Sequence, residues 1–182
     1  MQKLNHPVEK LVETFLYKGV EFEVVERPEV LWVGCVDYAS NNADESDIGA
    51  TLERYQKLIE IPKNELMNPD WSAALSINYC VDKPCGIMFA QETYSDKQDE
   101  RYDLFTQPGG IRNDRNAAAL LGKESAEVHE YFSDERKILR TAAEANHYQQ
   151  NFEVCVEVEY NCHAEYSTPP HTAYAYIPII KE

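Results

Sequence analysis

The sequence has no long apolar run and little positive charge, and both deficits exclude classes of protein. No segment reaches the roughly 18 consecutive apolar residues that a transmembrane helix requires. Lys and Arg number 17 against 32 Asp and Glu, so the net charge is −15. A field of that sign repels phosphate backbones and favours cationic ligands. We therefore expect no membrane span and no direct contact with nucleic acid.

Catalytic and phosphate-binding motifs are also missing. The chain contains no G-x-S-x-G nucleophile motif and no Walker lysine. Its one glycine pair, in Pro108-Gly109-Gly110, lacks the G-x-G-x-x-G spacing, and we predict a bulge or turn within a strand there. No catalytic residue and no cofactor are therefore predicted.

Cysteine is scarce and irregularly spaced. The five cysteines are Cys35, Cys80, Cys85, Cys155 and Cys162. Their odd number and the lack of a C-x-x-C pair predict reduced core thiols and no disulfide framework. Cys162, His163 and His171 follow Cys155 closely but lack the ligand spacing of a zinc site, so no metal is predicted. The amino terminus lacks the apolar core of a secretory signal, and we expect a cytoplasmic protein.

The chain does contain enough apolar residues, 43% of 182, for one well-cored domain over residues 1–182. The hydrophobic patterns predict helices over 7–17, 48–60 and much of 115–147, and strands over 21–26, 30–38, 72–81, 86–92, 101–112, 151–160 and 172–180. The first helix forms part of an amino-terminal helical extension, residues 1–19. The second half repeats the element order of the first, which is typical of the α+β class with helices packed on an antiparallel sheet.

One predicted strand carries an acidic face. Side chains alternate across a strand, so Glu153, Cys155, Glu157 and Glu159 share one side of residues 152–160. This side either faces water or places one carboxylate in a cavity that binds a cationic ligand. Three neighbouring acids repel each other, which would raise the pKa of any that is partly enclosed.

Several aromatic residues also fall on predicted strands: Trp32, Tyr79, Phe89, Tyr174 and Tyr176. Packing in the core is the ordinary role of such residues. Aromatic walls around a carboxylate would instead suit flat organic cations, through stacking and cation–π attraction of about 0.5–2 kcal/mol per contact.

Short motifs along the chain resemble the GyrI-like small-molecule-binding domain, which is also the effector-binding module of some AraC-type and MerR-type multidrug regulators. They are residues 24–29, residues 32–34, Cys85-Gly86-Ile87, Phe152-Glu153, and the terminal Ala175-Tyr176-Ile177-Pro178-Ile179. The resemblance covers roughly residues 20–181. It implies two strand-helix-strand-strand units related by a pseudo-twofold axis, with a ligand groove between them.

The resemblance also implies an acidic residue on a late strand, in a pocket with aromatic walls. Glu153 matches the Phe-Glu position best, and Glu157 or Glu159 could replace it if the register differs. The ligand-binding residues expected are Glu153, Trp32, Tyr79, Phe89, Tyr176 and Glu157.

Three functions remain open at this point. The first is a stand-alone binding protein for amphipathic molecules, either cationic or planar and aromatic, acting as a monomer or homodimer. The second is a hydrolase of reactive electrophiles on the same scaffold, with Glu153 and either Tyr79 or Tyr176 as its chemical groups. The third is an acidic inhibitor of a protein with a basic surface, such as a gyrase.

Overall fold

An antiparallel sheet forms the framework of the protein. The computed structural model describes residues 9–17, 20–39, 45–79, 83–116, 140–160 and 174–182. Its elements are β1 (Lys10–Tyr17), β2 (Val20–Arg27), β3 (Val30–Ala39), α1 (Glu45–Leu58), β4 (Ala73–Ile77), β5 (Cys85–Thr93), β6 (Asp103–Gln107), β7 (Gly110–Asn116), β8 (Tyr148–Gln150), β9 (Val156–Tyr160) and β10 (Tyr174–Lys181). Residues 140–144 are also helical. The predicted α+β class, with helices on an antiparallel sheet, is confirmed.

The strand order shows how two similar units are joined. The sheet runs β1-β2-β7-β10-β9-β4-β5-β3-β6, and β8 pairs with β10. The first unit orders its strands β4-β5-β3 and the second β9-β10-β7, so the two meet where β4 pairs with β9. The leading strand of each unit pairs with a strand of the other unit: β2 pairs with β7, and β6 pairs with β3. The strands of the two implied strand-helix-strand-strand units are therefore present, and they have the same order in each unit.

The sheet curls strongly toward one face. Arg27 on β2 binds Glu92 on β5, with Nη2 2.7 Å from Oε1, although four strands separate them. In a flat sheet five strand spacings would place them about 24 Å apart. The face that carries both residues is therefore concave. Its core cluster consists of Val25, Val30, Trp32, Trp71, Ala73, Leu75, Ile77, Met88, Ala90, Val156, Val158 and Tyr160.

Helices cover the opposite face, which we call the helix face. Tyr55 of α1 packs there with Cys35 and Phe89. At the other end of the sheet the helical residues Ala142 and Ala143 pack against β2 and β10. Among the described residues, no helix is long and apolar enough to cross a membrane.

The predicted helix over 7–17 is wrong, because Lys10–Tyr17 form the edge strand β1. Leu11 and Phe15 recur at helical spacing, but β1 pairs with β2 from Lys10 to Tyr17. Stacking of Phe15 on Phe22, with ring centroids 5.4 Å apart, supports the pairing. Long-range strand pairing therefore outweighs the local pattern.

Two predicted strands have different boundaries. Pro108 and Gly109 connect β6 with β7, so the single strand predicted over 101–112, with a bulge or turn within it, is two strands. The predicted strand over 151–160 begins only at Val156, after a turn at residues 152–154, and β8 lies between this predicted strand and the helical region predicted over 115–147. The positive φ of Cys155, 33°, marks the place where the turn meets the strand.

The cysteines only partly follow the prediction of reduced thiols. Cys35 and Cys85 form no disulfide, whereas Cys155 is disulfide-bonded to a partner outside the described residues. Cys162, His163 and His171, considered above for a metal, lie outside the described residues as well.

Candidate functional site

The strip where the two units meet is the candidate site on the helix face. Here β4 and β9 pair with Ser76 opposite Glu157 and Ala74 opposite Glu159. The alternate residues Val156, Val158 and Tyr160 belong to the concave core, so strand alternation puts the two glutamates on the helix face. We call the four residues Ala74, Ser76, Glu157 and Glu159 the junction strip.

Glu157 is the most enclosed carboxylate of the junction strip. Only 1% of its surface is exposed, whereas Glu159 is half-buried. Burying a carboxylate costs free energy unless another group compensates its charge. Ser76 and Ala74, on the neighbouring strand, carry small side chains on the same face. The strip therefore combines a buried carboxyl group with small side chains opposite it.

Phe89 borders the junction strip on the α1 side. It lies on β5 opposite Ala74, and it is 3% exposed in the cluster with Cys35 and Tyr55. Of the six residues predicted to bind ligand, Phe89 and Glu157 thus lie on the same face of the sheet, on β5 and β9, with β4 between them.

The Cys35 thiol in this cluster is expected to be unreactive. Burial raises the pKa of Cys35, which reduces the thiolate fraction, and the residue is inaccessible. Cys85 at the start of β5 is a half-buried thiol that forms no disulfide. We expect iodoacetamide to modify Cys85 in the native protein well before Cys35, as measured by mass spectrometry of tryptic peptides. Equal rates for the two thiols would show that the α1 cluster opens readily.

Trp32 lies on the other face, in the concave core. It is fully buried, donates from Nε1 to Gln107 Oε1 at 3.1 Å, and packs on Tyr160 with centroids 5.7 Å apart. Trp71 also meets Tyr160 edge-on. These contacts give Trp32 the packing role of an ordinary core aromatic.

Sequence reasoning missed a buried polar network in the same core. Arg27 donates to Glu92 Oε1 and to Tyr160 Oη, at 2.7 and 3.2 Å. Asn68 donates to Glu92 Oε2 at 2.6 Å, and Tyr160 donates to Oε1. Burial raises the pKa of Tyr160 well above its ordinary value, so the phenol stays a donor. No local signal in the sequence pairs Arg27 with a residue 65 positions away.

The remaining predicted residues lie elsewhere. Tyr79 follows β4, and its hydroxyl accepts a hydrogen bond from Gln150 Nε2. Glu153 is exposed in the turn before β9, where its backbone N–H donates to Asn151 Oδ1. Tyr176 pairs through its backbone with Val158, in β10. Glu157 and Phe89 therefore share the helix face of the sheet, whereas Trp32 lies on the concave face and Glu153 in a turn.

Comparison with solved structures identifies the fold. A candidate bacterial transcription regulation protein from Staphylococcus aureus MU50 matches with a TM-score of 0.62 and 16% identity, over 88% of this chain and 99% of that one. SAV2435, solved with tetraphenylphosphonium bound, matches with a TM-score of 0.60 and 13% identity, over 87% and 93%. The EcmrR C-terminal domain matches with a TM-score of 0.55 and 12% identity, over 90% and 99%. No protein-family model and no curated protein sequence matches the chain.

These neighbours show the class of fold to which the chain conforms. It is the fold shared by SAV2435 and the EcmrR C-terminal domain. The fold implied by the GyrI-like motifs is therefore confirmed. At identities of 9–17% the likeness concerns architecture, and the binding residues of this chain have to be argued from its own side chains.

Proposed function

We propose that this protein binds small organic cations at the junction strip, with Glu157 as the anionic contact. The observation that carries the proposal is the 1% exposure of this carboxylate at the place where the two units meet. A carboxylate removed from water attracts a cation more strongly than an exposed one, because the effective dielectric constant is lower. Phe89 beside the strip supplies an apolar border. Glu159 would contribute a second negative charge.

A ligand-bound structural neighbour supports organic cations as the class of ligand. SAV2435 was solved with tetraphenylphosphonium, a large organic cation, on the same fold. The net charge of −15 in this chain would raise the local concentration of such ligands. We infer a small-molecule-binding role of the effector-domain kind, and we keep the cytoplasmic location as part of this proposal. Disulfides such as that of Cys155 are rare in reducing compartments, so the redox state of Cys155 in cells tests the location.

The test compares two glutamate variants with tetraphenylphosphonium as the probe. A ligand at 100 times its Kd adds about 2.7 kcal/mol to the free energy of unfolding. We expect Glu157→Gln to weaken binding by about tenfold or more, which corresponds to at least about 1.4 kcal/mol. Glu153→Gln is the matched control, because it removes the same charge from an exposed turn, and it should bind normally. Isothermal titration and thermal shifts measure both.

A neutral probe separates charge from shape. Triphenylphosphine oxide should bind Glu157→Gln and the parent chain equally well, because it carries no net charge to lose a partner. If Glu157→Gln weakens both probes equally, the carboxylate has a structural role only. Loss of tetraphenylphosphonium binding in Glu153→Gln alone would move the site to the turn before β9.

A further inference from the structure

A cavity beyond the carboxyl-terminal end of α1 has a lysine in its wall. Its volume is about 380 Å³, which is within the range of small-ligand pockets. We call it the Lys63 cavity, and none of its residues belongs to the junction strip. Its apolar walls come from the connection between α1 and β4: Ile59, Ile61, Pro62, Leu66 and Pro69. Such walls favour a ligand with apolar surface to remove from water.

The ammonium group of Lys63 lies between two tyrosine rings and one amide. Its Nζ donates to Gln91 Oε1 at 2.8 Å, and it is 4.8 Å from the centre of the Tyr55 ring and 5.4 Å from that of Tyr102. Gln91 is itself held in place, because its Nε2 donates to Pro69 O at 2.7 Å. These contacts fix the half-buried lysine side chain at the wall of the cavity.

No acidic side chain stabilises Lys63 through an ion pair in the part of the chain that the structure describes. The exposed Glu60 and Asp70 also line the cavity, but neither is paired with this lysine. An enclosed ammonium group without a paired carboxylate is costly to keep charged. The surroundings therefore favour the neutral amine.

Burial makes this amine more nucleophilic at neutral pH. Desolvation lowers the pKa of Lys63, and Cys35 acts in the opposite direction. The two tyrosines keep their protons, because burial raises the pKa of both Tyr55 and Tyr102. A lowered pKa leaves a larger fraction of neutral amine at pH 7 than an exposed lysine has. Only the neutral amine has the free electron pair that attacks a carbonyl carbon.

We propose that Lys63 is a reactive amine that captures small apolar aldehydes in the Lys63 cavity as Schiff bases. The electron pair of Nζ forms a bond to the carbonyl carbon, and one proton moves from the nitrogen to the carbonyl oxygen, which gives a carbinolamine. This oxygen then leaves as water together with the second amine proton, and the C=N bond remains. Nothing is oxidised or reduced, so capture needs no co-reactant.

Hexanal with sodium cyanoborohydride is the probe, because the reductant converts each Schiff base into a stable secondary amine. At pH 7 we expect Lys63 of the full chain to carry several times more label than the exposed Lys83 and Lys97, as measured by peptide mass spectrometry. Glyceraldehyde, a polar aldehyde, should show a smaller preference for Lys63. Equal labelling of Lys63 and Lys97 by hexanal would overturn the proposal.

Gln91→Glu tests the state of the amine without removing it. A carboxylate beside Nζ favours the ammonium form, so the pKa of Lys63 should rise and its labelling at pH 7 should fall to that of an exposed lysine. Gln56→Glu is the matched control, because it adds the same charge on the exposed side of α1, and it should leave the labelling unchanged. Undiminished labelling in a Gln91→Glu protein that is folded by circular dichroism would contradict the proposal.

A pair of variants at Leu66 tests the cavity itself. Leu66→Trp fills the space and should reduce the labelling of Lys63 several-fold, whereas Leu66→Met conserves volume and should retain it. Full labelling of a folded Leu66→Trp protein would mean that the aldehyde reacts from solvent, against the proposal. Lys63→Arg should leave tetraphenylphosphonium binding unchanged, and Glu157→Gln should leave the labelling of Lys63 unchanged, so the two sites fail separately.

Discussion

Replacing Arg27 with methionine is expected to lower the free energy of unfolding by about 3–5 kcal/mol, because the change leaves the Glu92 carboxylate buried without its cation. Arg27 and Glu92 are 3% and 0% exposed, and their 2.7 Å contact lies in the concave core. For a chain of this length the loss corresponds to a fall of roughly 10 °C in Tm. Thermal and urea unfolding followed by circular dichroism measure it.

Two further variants separate the buried charge from the loss of packing. Arg27→Met combined with Glu92→Gln should recover much of the stability, because the fully buried side chain at position 92 then carries no charge. Arg101→Met breaks an ion pair with Asp99 on the surface and should leave Tm close to that of the parent chain. A cost below about 1 kcal/mol for Arg27→Met would mean that Glu92 accommodates the loss by protonation or exposure.

Gly34→Ala is expected to destabilise the protein by about 3 kcal/mol or more, at or above the upper end of ordinary overpacking costs. Gly34 lies opposite Ala90 in the pairing of β3 with β5. A Cβ there would lie 2.6 Å from Ala90 Cα and closer still to Phe89 O. Backbone atoms of a central strand cannot move aside without breaking the ladder. Soluble expression and urea unfolding provide the measurement.

Gly49→Ala is the matched control for this substitution. Gly49 lies exposed in α1, and an added Cβ would meet nothing within 4 Å. Alanine in a helix is favoured over glycine by up to about 1 kcal/mol, so this variant should be slightly more stable than the parent. A Gly34→Ala protein as stable as Gly49→Ala would show that β3 and β5 are less tightly paired than their register indicates.

The prediction of a helix where the structure has β1 failed for a definite physical reason. Residues 10–17 contain apolar side chains at positions that suit a helix as well as a strand, and local spacing could not decide between them. Pairing with β2 decided it, because β2 offers a ladder of backbone hydrogen bonds along the whole segment. By contrast β2, β3, α1 and β5 were predicted to within a few residues, because their patterns were bounded by turns and prolines.

At the site, the acidic strand shows the same difference between what local spacing predicts and what long-range pairing decides. Alternation along residues 152–160 correctly placed Glu157 and Glu159 on the face opposite Val156 and Val158. It could not show that the strand begins at Val156, which leaves Glu153 exposed in a turn. Where a strand begins depends on its pairing with β4, and β4 is almost 80 residues earlier in the chain.

By itself the sequence determined the fold class, the excess of negative charge and the side of β9 that carries the glutamates. These follow from composition and from the two-residue period of a strand, which are local properties. Only the tertiary structure decided which glutamate is buried, and that Arg27, Glu92 and Tyr160 share one network. Burial and ion pairing depend on residues 65 and 133 positions apart meeting across a curled sheet, and no local pattern encodes such a meeting.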